Sequence, residues 1–290
     1  RYVPHQGDAW SWTVDYLERF LEEGRLVVDE PGGAHAAFLD LVATLGARVG
    51  ELHRAFALRT GDPAFDPQPA DAAAVARWVE RVRDEARRSL AMLEARLSEL
   101  PDDARALADQ LLERRAELAA ADLPALPEGL LVTRHHGDLH LGQVLLSNDD
   151  FLIIDFEGEP SRPIEERRER HTPLRDVAGM LRSFDYARQT VLRAMRDVLQ
   201  GPEDAQAASE AAAEWLLQTR NAFLAGHARA AGGAGLFPPP DRAPGLLRLL
   251  ELEKALYELR YELQNRPAWV AVPLRGLVDL LDRHRTGERE

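Results

Sequence analysis

The sequence predicts a mainly α-helical protein with one small β-hairpin, an α+β chain in which nearly all the apolar pattern is helical. Three observations predict it. Apolar residues recur at three- and four-residue steps through most of the 290 residues. Short, apolar, β-branched runs stand out at 130–133, 143–146 and 151–154, with Ser147-Asn148-Asp149-Asp150 between the last two reading as a turn. Clusters of proline and glycine separate the helical runs from one another.

The elements follow in order. Asp8 stands where a capping residue belongs, ahead of a helix with Trp12, Tyr16, Leu17 and Phe20 on one side that ends near Gly24. A second helical pattern covers 34–57, and the Pro- and Asp-rich stretch 61–69 is a loop. Val75, Trp78, Val79, Val82, Ala86, Leu90, Leu93, Leu97 and Leu100 then trace one long amphipathic helix, stopped by Pro101. A further helix spans about 103–121 before Leu123-Pro124-Ala125-Leu126-Pro127 breaks the pattern. After the β signals the chain returns to helix at 176–199, 202–231, 244–265 and 273–284, with a Gly/Pro-rich break at 232–240. No solenoid repeat is present.

Bulk composition narrows the function. With 45% hydrophobic residues the chain has ample material for one large domain or two closely packed ones. Its 49 acidic against 36 basic side chains give a net charge of -13, which repels a duplex or an anionic membrane. Nucleic acid and membrane are therefore poor partners, and with no cysteine and no long apolar run a cytoplasmic location is expected. Lys254 is the only lysine among 36 basic residues, a pattern that a GC-rich coding bias explains. The chain starts at Arg1 and runs through Pro4 and Gly7 as a linker would, so further sequence is expected before it.

The chemistry concentrates in His136-Gly137-Asp138-Leu139-His140-Leu141-Gly142-Gln143 and, 17 residues beyond Asp138, in Asp155-Phe156-Glu157. Phosphoryl transfer to a hydroxyl needs one carboxylate to orient the hydroxyl and take its proton. It needs a second carboxylate and another oxygen to hold a magnesium ion on the phosphates. Asp138 supplies the first, Gln143 and Asp155 the others, and the hairpin between them folds Asp155 back toward Asp138. A lone His-x-Asp is a weak signal, whereas the complete ordered set across a hairpin is a specific one.

This order resembles protein-kinase-like enzymes and, more closely, aminoglycoside-phosphotransferase-like small-molecule kinases, with Gln143 in place of their asparagine. The segments 3–10, 136–143, 155–160, 174–186 and 253–267 narrow the resemblance to bacterial maltokinase, including forms fused behind a trehalose synthase domain. That resemblance implies ATP and Mg²⁺ as cofactors and maltose as the acceptor, phosphorylated at its anomeric hydroxyl. It implies Asp138 as base and Gln143 and Asp155 as metal ligands. Lys254, Tyr257 and Tyr261, at i, i+3 and i+7, share a helix face that either contacts the sugar or belongs to core and solvated rim.

Kinases of this type hold ATP between two lobes, the first carrying a strand lysine and a glycine-rich loop. No lysine precedes Lys254 and no such loop is present. The expectation is therefore the C-terminal lobe of a protein-kinase-like fold, with a helical subdomain at 1–124 and a catalytic part at 125–290. The N-terminal ATP lobe, absent here, becomes a partner in cis without which the chain is inactive, and a trehalose synthase domain is a further candidate partner. The alternatives are an inactive sugar-binding or scaffold module, or a kinase for another small acceptor such as an aminoglycoside, choline, homoserine or an amino sugar.

Other residues support this centre. His136 reads as a scaffold for the loop, while His140 either faces the cleft or braces the backbone. His135 and His136 point to opposite faces of an extended segment, which argues against a shared metal. Glu157 and Glu159 either add charge near the metal or shape a turn. Arg175 either pairs with Asp176 or reaches a phosphate or sugar. The mixed-charge stretch 161–171 is a solvated loop, His53 is structural, and Trp10 and Trp12 pack or line the cleft mouth.

Overall fold

The computed structural model describes residues 4–24, 35–121, 129–160, 162–232 and 244–286. The expected break at 123–127 and most of that at 232–240 lie outside them.

Helix α1 (Ala9–Gly24) begins where Asp8 caps it, its carboxylate accepting from the Ser11 N–H at 2.7 Å. Helix α2 spans Ala36–Phe56. The two-residue strands β1 (Gln68–Pro69) and β2 (Leu131–Val132) bracket α3 (Ala72–Ala95), α4 (Asp102–Glu113) and α5 (Arg115–Ala119). Asp71 caps α3 by accepting from the Ala74 N–H at 2.5 Å. The long helix expected to reach Leu100 ends at Ala95 and gives way to a single 3₁₀ turn, Leu97–Glu99, before Pro101. The helix expected over 103–121 is interrupted at Arg114, whose guanidinium bonds Glu117 at 2.9 Å and Asp282 at 2.6 Å.

Strands β3 (Val144–Ser147) and β4 (Asp150–Ile153) form the hairpin, in register Val144 to Ile153 and Ser147 to Asp150. Asn148 (φ 51°) and Asp149 (φ 58°) make its two-residue turn, both in the left-handed conformation that such turns require and that these side chains tolerate. The segment read as a linker instead lies along the outer edge of β3: the Gln6 N–H bonds Leu146 O at 2.8 Å and the Leu146 N–H bonds Gly7 O at 3.0 Å. Among the described residues the helices that follow are α6 (Ile164–Arg167), α7 (Leu174–Ala194), α8 (Pro202–Ala231), α9 (Pro244–Asn265) and α10 (Ala271–Thr286). Prolines open α8 and α9, and α10 starts two residues before Pro273, because the first helical turn has no intrahelical use for the missing N–H.

The chain divides into two compact units, each assembled from two separate stretches: Arg1–Gln68 with Leu131–Pro239, and Pro69–Leu130 with Pro240–Glu290. The expected boundary between 124 and 125 follows the sequence, whereas these units follow contacts and interleave along it. In the first unit α2 packs against α8 so closely that a side chain at Gly226 would strike the Ala43 carbonyl. Phe38, Phe184, Trp215 and Phe223 fill the surrounding core. In the second unit α3, α4, α9 and α10 bury Val82, Leu93, Leu111, Leu256, Leu259, Leu274 and Leu277. There the Ser89 hydroxyl donates to Leu256 O at 3.1 Å, and Glu85 binds Arg260 at 2.6 Å. Among the described residues no helix is long and apolar enough to cross a membrane.

Candidate active site

The hairpin places the two metal-ligand candidates side by side. Beyond Val144 and Ile153 the ladder gains one more bond, from the Ile154 N–H to Gln143 O at 3.0 Å. Gln143 and Asp155 thereby meet, the Gln143 amide donating to the Asp155 carboxylate at 3.2 Å. Asp155 itself has φ 63°, a left-handed conformation that costs a non-glycine residue energy and is held by the structure on either side.

His136 fastens the loop of Asp138 to this strand end. Its buried ring donates from Nε2 to Ile154 O at 2.8 Å, and Nδ1 accepts from the Asp138 N–H at 3.3 Å, which fixes the tautomer. Gly137, at φ 87°, makes the turn between them. Asp138 is left with its side chain 18% exposed, and the His140 Nε2 stands 4.0 Å from its carboxylate. His140 also braces the loop, its Nδ1 accepting from the Gly142 N–H at 3.1 Å.

Helix α7 holds the same loop from beneath at three points one helical face apart, i, i+3 and i+7. The buried Asp176 accepts from the His136 N–H at 2.7 Å and the Gly137 N–H at 2.9 Å. A side chain at Gly179 would lie 2.5 Å from Leu139 O, so only glycine admits the loop. Ser183 accepts from the Leu141 N–H at 3.1 Å. Sequence reasoning missed this clasp, although the 3- and 7-residue spacing was visible in 174–186.

Behind Asp176 stand two buried histidines. His53 on α2 faces the Asp176 carboxylate at 3.2 Å through Nε2 and His227 on α8 at 3.0 Å through Nδ1. Because the carboxylate only accepts, His53 donates to it from Nε2, and a neutral His53 accepts from His227 at Nδ1. Burial pushes His227 down to about 3, helped by the neighbouring His53. Burial works to raise Asp176, but the His53 hydrogen bond and the nearby His135, His53 and His136 outweigh it and hold the carboxyl below its usual range. Asp176 is thus committed to the loop and to His53, while Arg175 lies near enough to His135 to oppose that ring's protonation. Glu157 is exposed, and its carbonyl accepts from Arg167 at 3.2 Å.

Lys254, Tyr257 and Tyr261 belong to α9 in the other unit. The Lys254 ammonium sits 4.8 Å from the Tyr257 ring centre, and the two tyrosine rings are 6.3 Å apart. Tyr261 is exposed, and the same face carries Arg260 over Tyr257 and Arg266 over both Tyr261 and Trp269, neighbours that the three-residue pattern had not included.

The donors beside the hairpin fit magnesium. Gln143 and Asp155 would offer an amide oxygen and a carboxylate once the Gln143 amide, whose nitrogen here donates to Asp155, turns its oxygen toward the ion; Mg²⁺ is ordinarily held by one or two protein oxygens, with water and phosphate completing its shell. Among the described residues no group of three or more His, Cys, Asp and Glu side chains gathers in the manner of an all-protein metal cage.

No family model matches the chain. Two relatives are glucosamine kinases. It is 31% identical over 284 residues to one from Streptacidiphilus jiangxiensis and 29% identical over 285 residues to one from Mycolicibacterium smegmatis. These alignments take in 97% of the chain but 56% and 61% of the relatives' own lengths. Among solved structures, a glucosamine kinase in complex with glucosamine, ADP and inorganic phosphate matches with a TM-score of 0.68 at 28% identity. That match covers 97% of this chain and 59% of the other. A glucosamine kinase in its crystal form A matches with a TM-score of 0.69 at 28% identity, over 99% of this chain and 62% of that one.

These matches correct the expected fold description, a C-terminal lobe of a protein-kinase-like fold with its N-terminal ATP lobe absent. The structural matches to glucosamine kinase take in nearly the whole chain, not a catalytic stretch alone. The expectation rested on a lysine and a glycine-rich loop not found in the sequence, and missing motifs do not delimit a fold. Neither maltokinases nor trehalose synthase fusions are what the relatives point to, and inactivity of the chain finds no support in them.

Proposed function

We propose that the protein carrying this chain is an ATP-dependent sugar kinase whose acceptor is an amino sugar of the glucosamine type. The observation that carries the reading is the pinning of the Asp138 loop to the Gln143–Asp155 pair through His136 and Ile154 O. One carboxylate is held for an acceptor hydroxyl beside an oxygen pair suited to a metal, which is the division of labour that phosphoryl transfer requires.

In this reading Asp138 orients the acceptor hydroxyl and takes its proton as the oxygen bonds to the terminal phosphorus of ATP and the bond from that phosphorus to the bridging oxygen breaks, the electron pair leaving with ADP. Gln143 and Asp155 would hold Mg²⁺, which would supply charge neutralisation on the phosphates. Asp176, Gly179 and Ser183 keep the loop in place, and within its own unit the aromatic face of α9 is a surface of the kind that contacts sugars. The relatives favour glucosamine over maltose as the acceptor. ADP in the solved relative is the nucleotide expected after ATP has donated its phosphoryl group.

The test is an ADP-release assay on the natural protein with glucosamine, maltose and an aminoglycoside as acceptors. Glucosamine should give the highest kcat/KM, and Asp138→Asn should lower kcat by roughly a hundred- to ten-thousandfold with the fold intact by circular dichroism. A preference for maltose would overturn the acceptor. Acceptor-independent ADP release, or full activity in Asp138→Asn, would overturn the kinase.

A further inference from the structure

Three arginines, Arg134, Arg168 and Arg170, lie in segments next to the Asp138 loop and form no ion pair among the described residues. Arg134, two residues before His136, donates from Nε to Ala64 O at 3.1 Å and from Nη1 to Arg168 O at 2.5 Å, and its guanidinium lies 5.3 Å over the Phe65 ring. Arg170 donates to the adjacent carbonyl, Pro63 O. Its Nε is buried and has no hydrogen-bond partner among the described residues. Backbone bonds between Thr133 and His171 at 3.0 and 3.1 Å hold the two arginine-bearing strands together.

The 60–66 loop presents adjacent carbonyls to Arg134 and Arg170. Asp66 accepts from the Thr60 and Gly61 N–H groups at 2.6 and 3.1 Å, and Asp62 accepts from the Ala64 N–H at 2.8 Å, so its carboxylates fold the loop while its carbonyls face the arginines. Among the described residues none of Arg134, Arg168 and Arg170 forms an ion pair, although the chain carries a net charge of -13. In the same segment Arg162 has both Glu159 and Glu166. Burial, followed by the charges of Arg170 and Arg168, pulls the Arg134 pKa down, opposed only by Asp62. Like charges gathered on neighbouring carbonyls, with a buried donor left over, call for an anion.

We propose that Arg134, Arg168 and Arg170 form an anion site that takes a phosphate-type dianion, either inorganic phosphate or a small phosphomonoester. Three guanidinium groups on adjoining segments, none of them in an ion pair among the described residues, match a dianion better than a lone carboxylate. Bound there, the anion ties the 162–170 segment to the 60–66 loop and, through the Thr133–His171 pair, to the start of the base loop.

The experiment is calorimetric titration of the natural protein with inorganic phosphate, and separately with a sugar phosphate, against sodium chloride of matched ionic strength. Asp138→Asn and Asp155→Asn should retain this phosphate binding, which separates the site from the kinase centre and its fate from that of the kinase reading. Arg170→Gln should weaken it by about tenfold or more. Arg168→Gln, whose side chain is exposed and makes none of the loop contacts, should do the same without loss of fold. Tighter binding of the sugar phosphate than of phosphate identifies the ester as the ligand, and the reverse identifies free phosphate. Equal heats with chloride, undiminished binding in Arg168→Gln, or binding lost in Asp155→Asn would each overturn the proposal.

Discussion

Replacing Asp176 by asparagine tests the clasp under the Asp138 loop with little change of shape. The carboxylate serves two backbone N–H groups, of His136 at 2.7 Å and Gly137 at 2.9 Å, and faces His53 at 3.2 Å, all buried. An asparagine has one accepting oxygen, so its NH₂ must turn toward one of those donors and leave it unsatisfied, at about 1–3 kcal/mol. The bonds that remain lose their charge assistance, worth about 1 kcal/mol more. The sum, about 3 kcal/mol, corresponds to hydrogen exchange on the order of a hundredfold faster at the His136 and Gly137 amides if they exchange by local opening. Exchange monitored by mass spectrometry or NMR at pH 7, alongside urea unfolding, reads both quantities. In the parent protein the carboxyl's depressed pKa stabilises the fold above the ordinary carboxylate range, and that contribution fades as pH falls through the folded value; Asp176→Asn should lack this acid loss. Protection unchanged at both amides, with less than about 1 kcal/mol lost in urea, would refute the claim that Asp176 holds the loop.

The same clasp gives two further predictions. Gly179→Ala forces a methyl to 2.5 Å from Leu139 O between two packed backbones, and should cost about 1–3 kcal/mol in thermal unfolding and lower kcat more than it raises KM. Ser183→Ala orphans the buried Leu141 N–H for about 1–2 kcal/mol, whereas Ser183→Thr, which keeps the accepting oxygen, should recover activity; equal loss in both would point to packing instead. The buried histidines set a pH dependence. His227 titrates at about 3 when folded, below its ordinary value, so the unfolded chain binds the extra proton and stability falls as pH drops below about 6.5. The slope is about 1.4 kcal/mol per pH unit, or about 2 kcal/mol between pH 6.5 and 5, and His135, pushed by burial to about 4, adds to it. Urea midpoints across that range should be flatter in His227→Gln, and an unchanged slope would exclude His227 as a source.

Several features were legible in the chain itself because they are local. Apolar periodicity and an N-terminal proline marked α8 and α9 at the bounds they adopt, and Asn148-Asp149 between two β-branched runs marked the hairpin and its turn. The order of Asp138, Gln143 and Asp155 across that hairpin was visible for the same reason, since a two-residue turn dictates which residues lie opposite one another. Tertiary structure decided what depends on contacts distant in sequence. It joined residues 69–130 with 240–290 in one unit, where periodicity along the chain suggested a cut near 124. It turned Asp176 to the loop and to His53, where adjacency suggested Arg175 as the partner. It also brought Arg134 against Arg168 and Arg170 across the 60–66 loop. Periodicity reports only which face of an element is buried, whereas the identity of the group that meets a buried polar atom depends on how the elements pack.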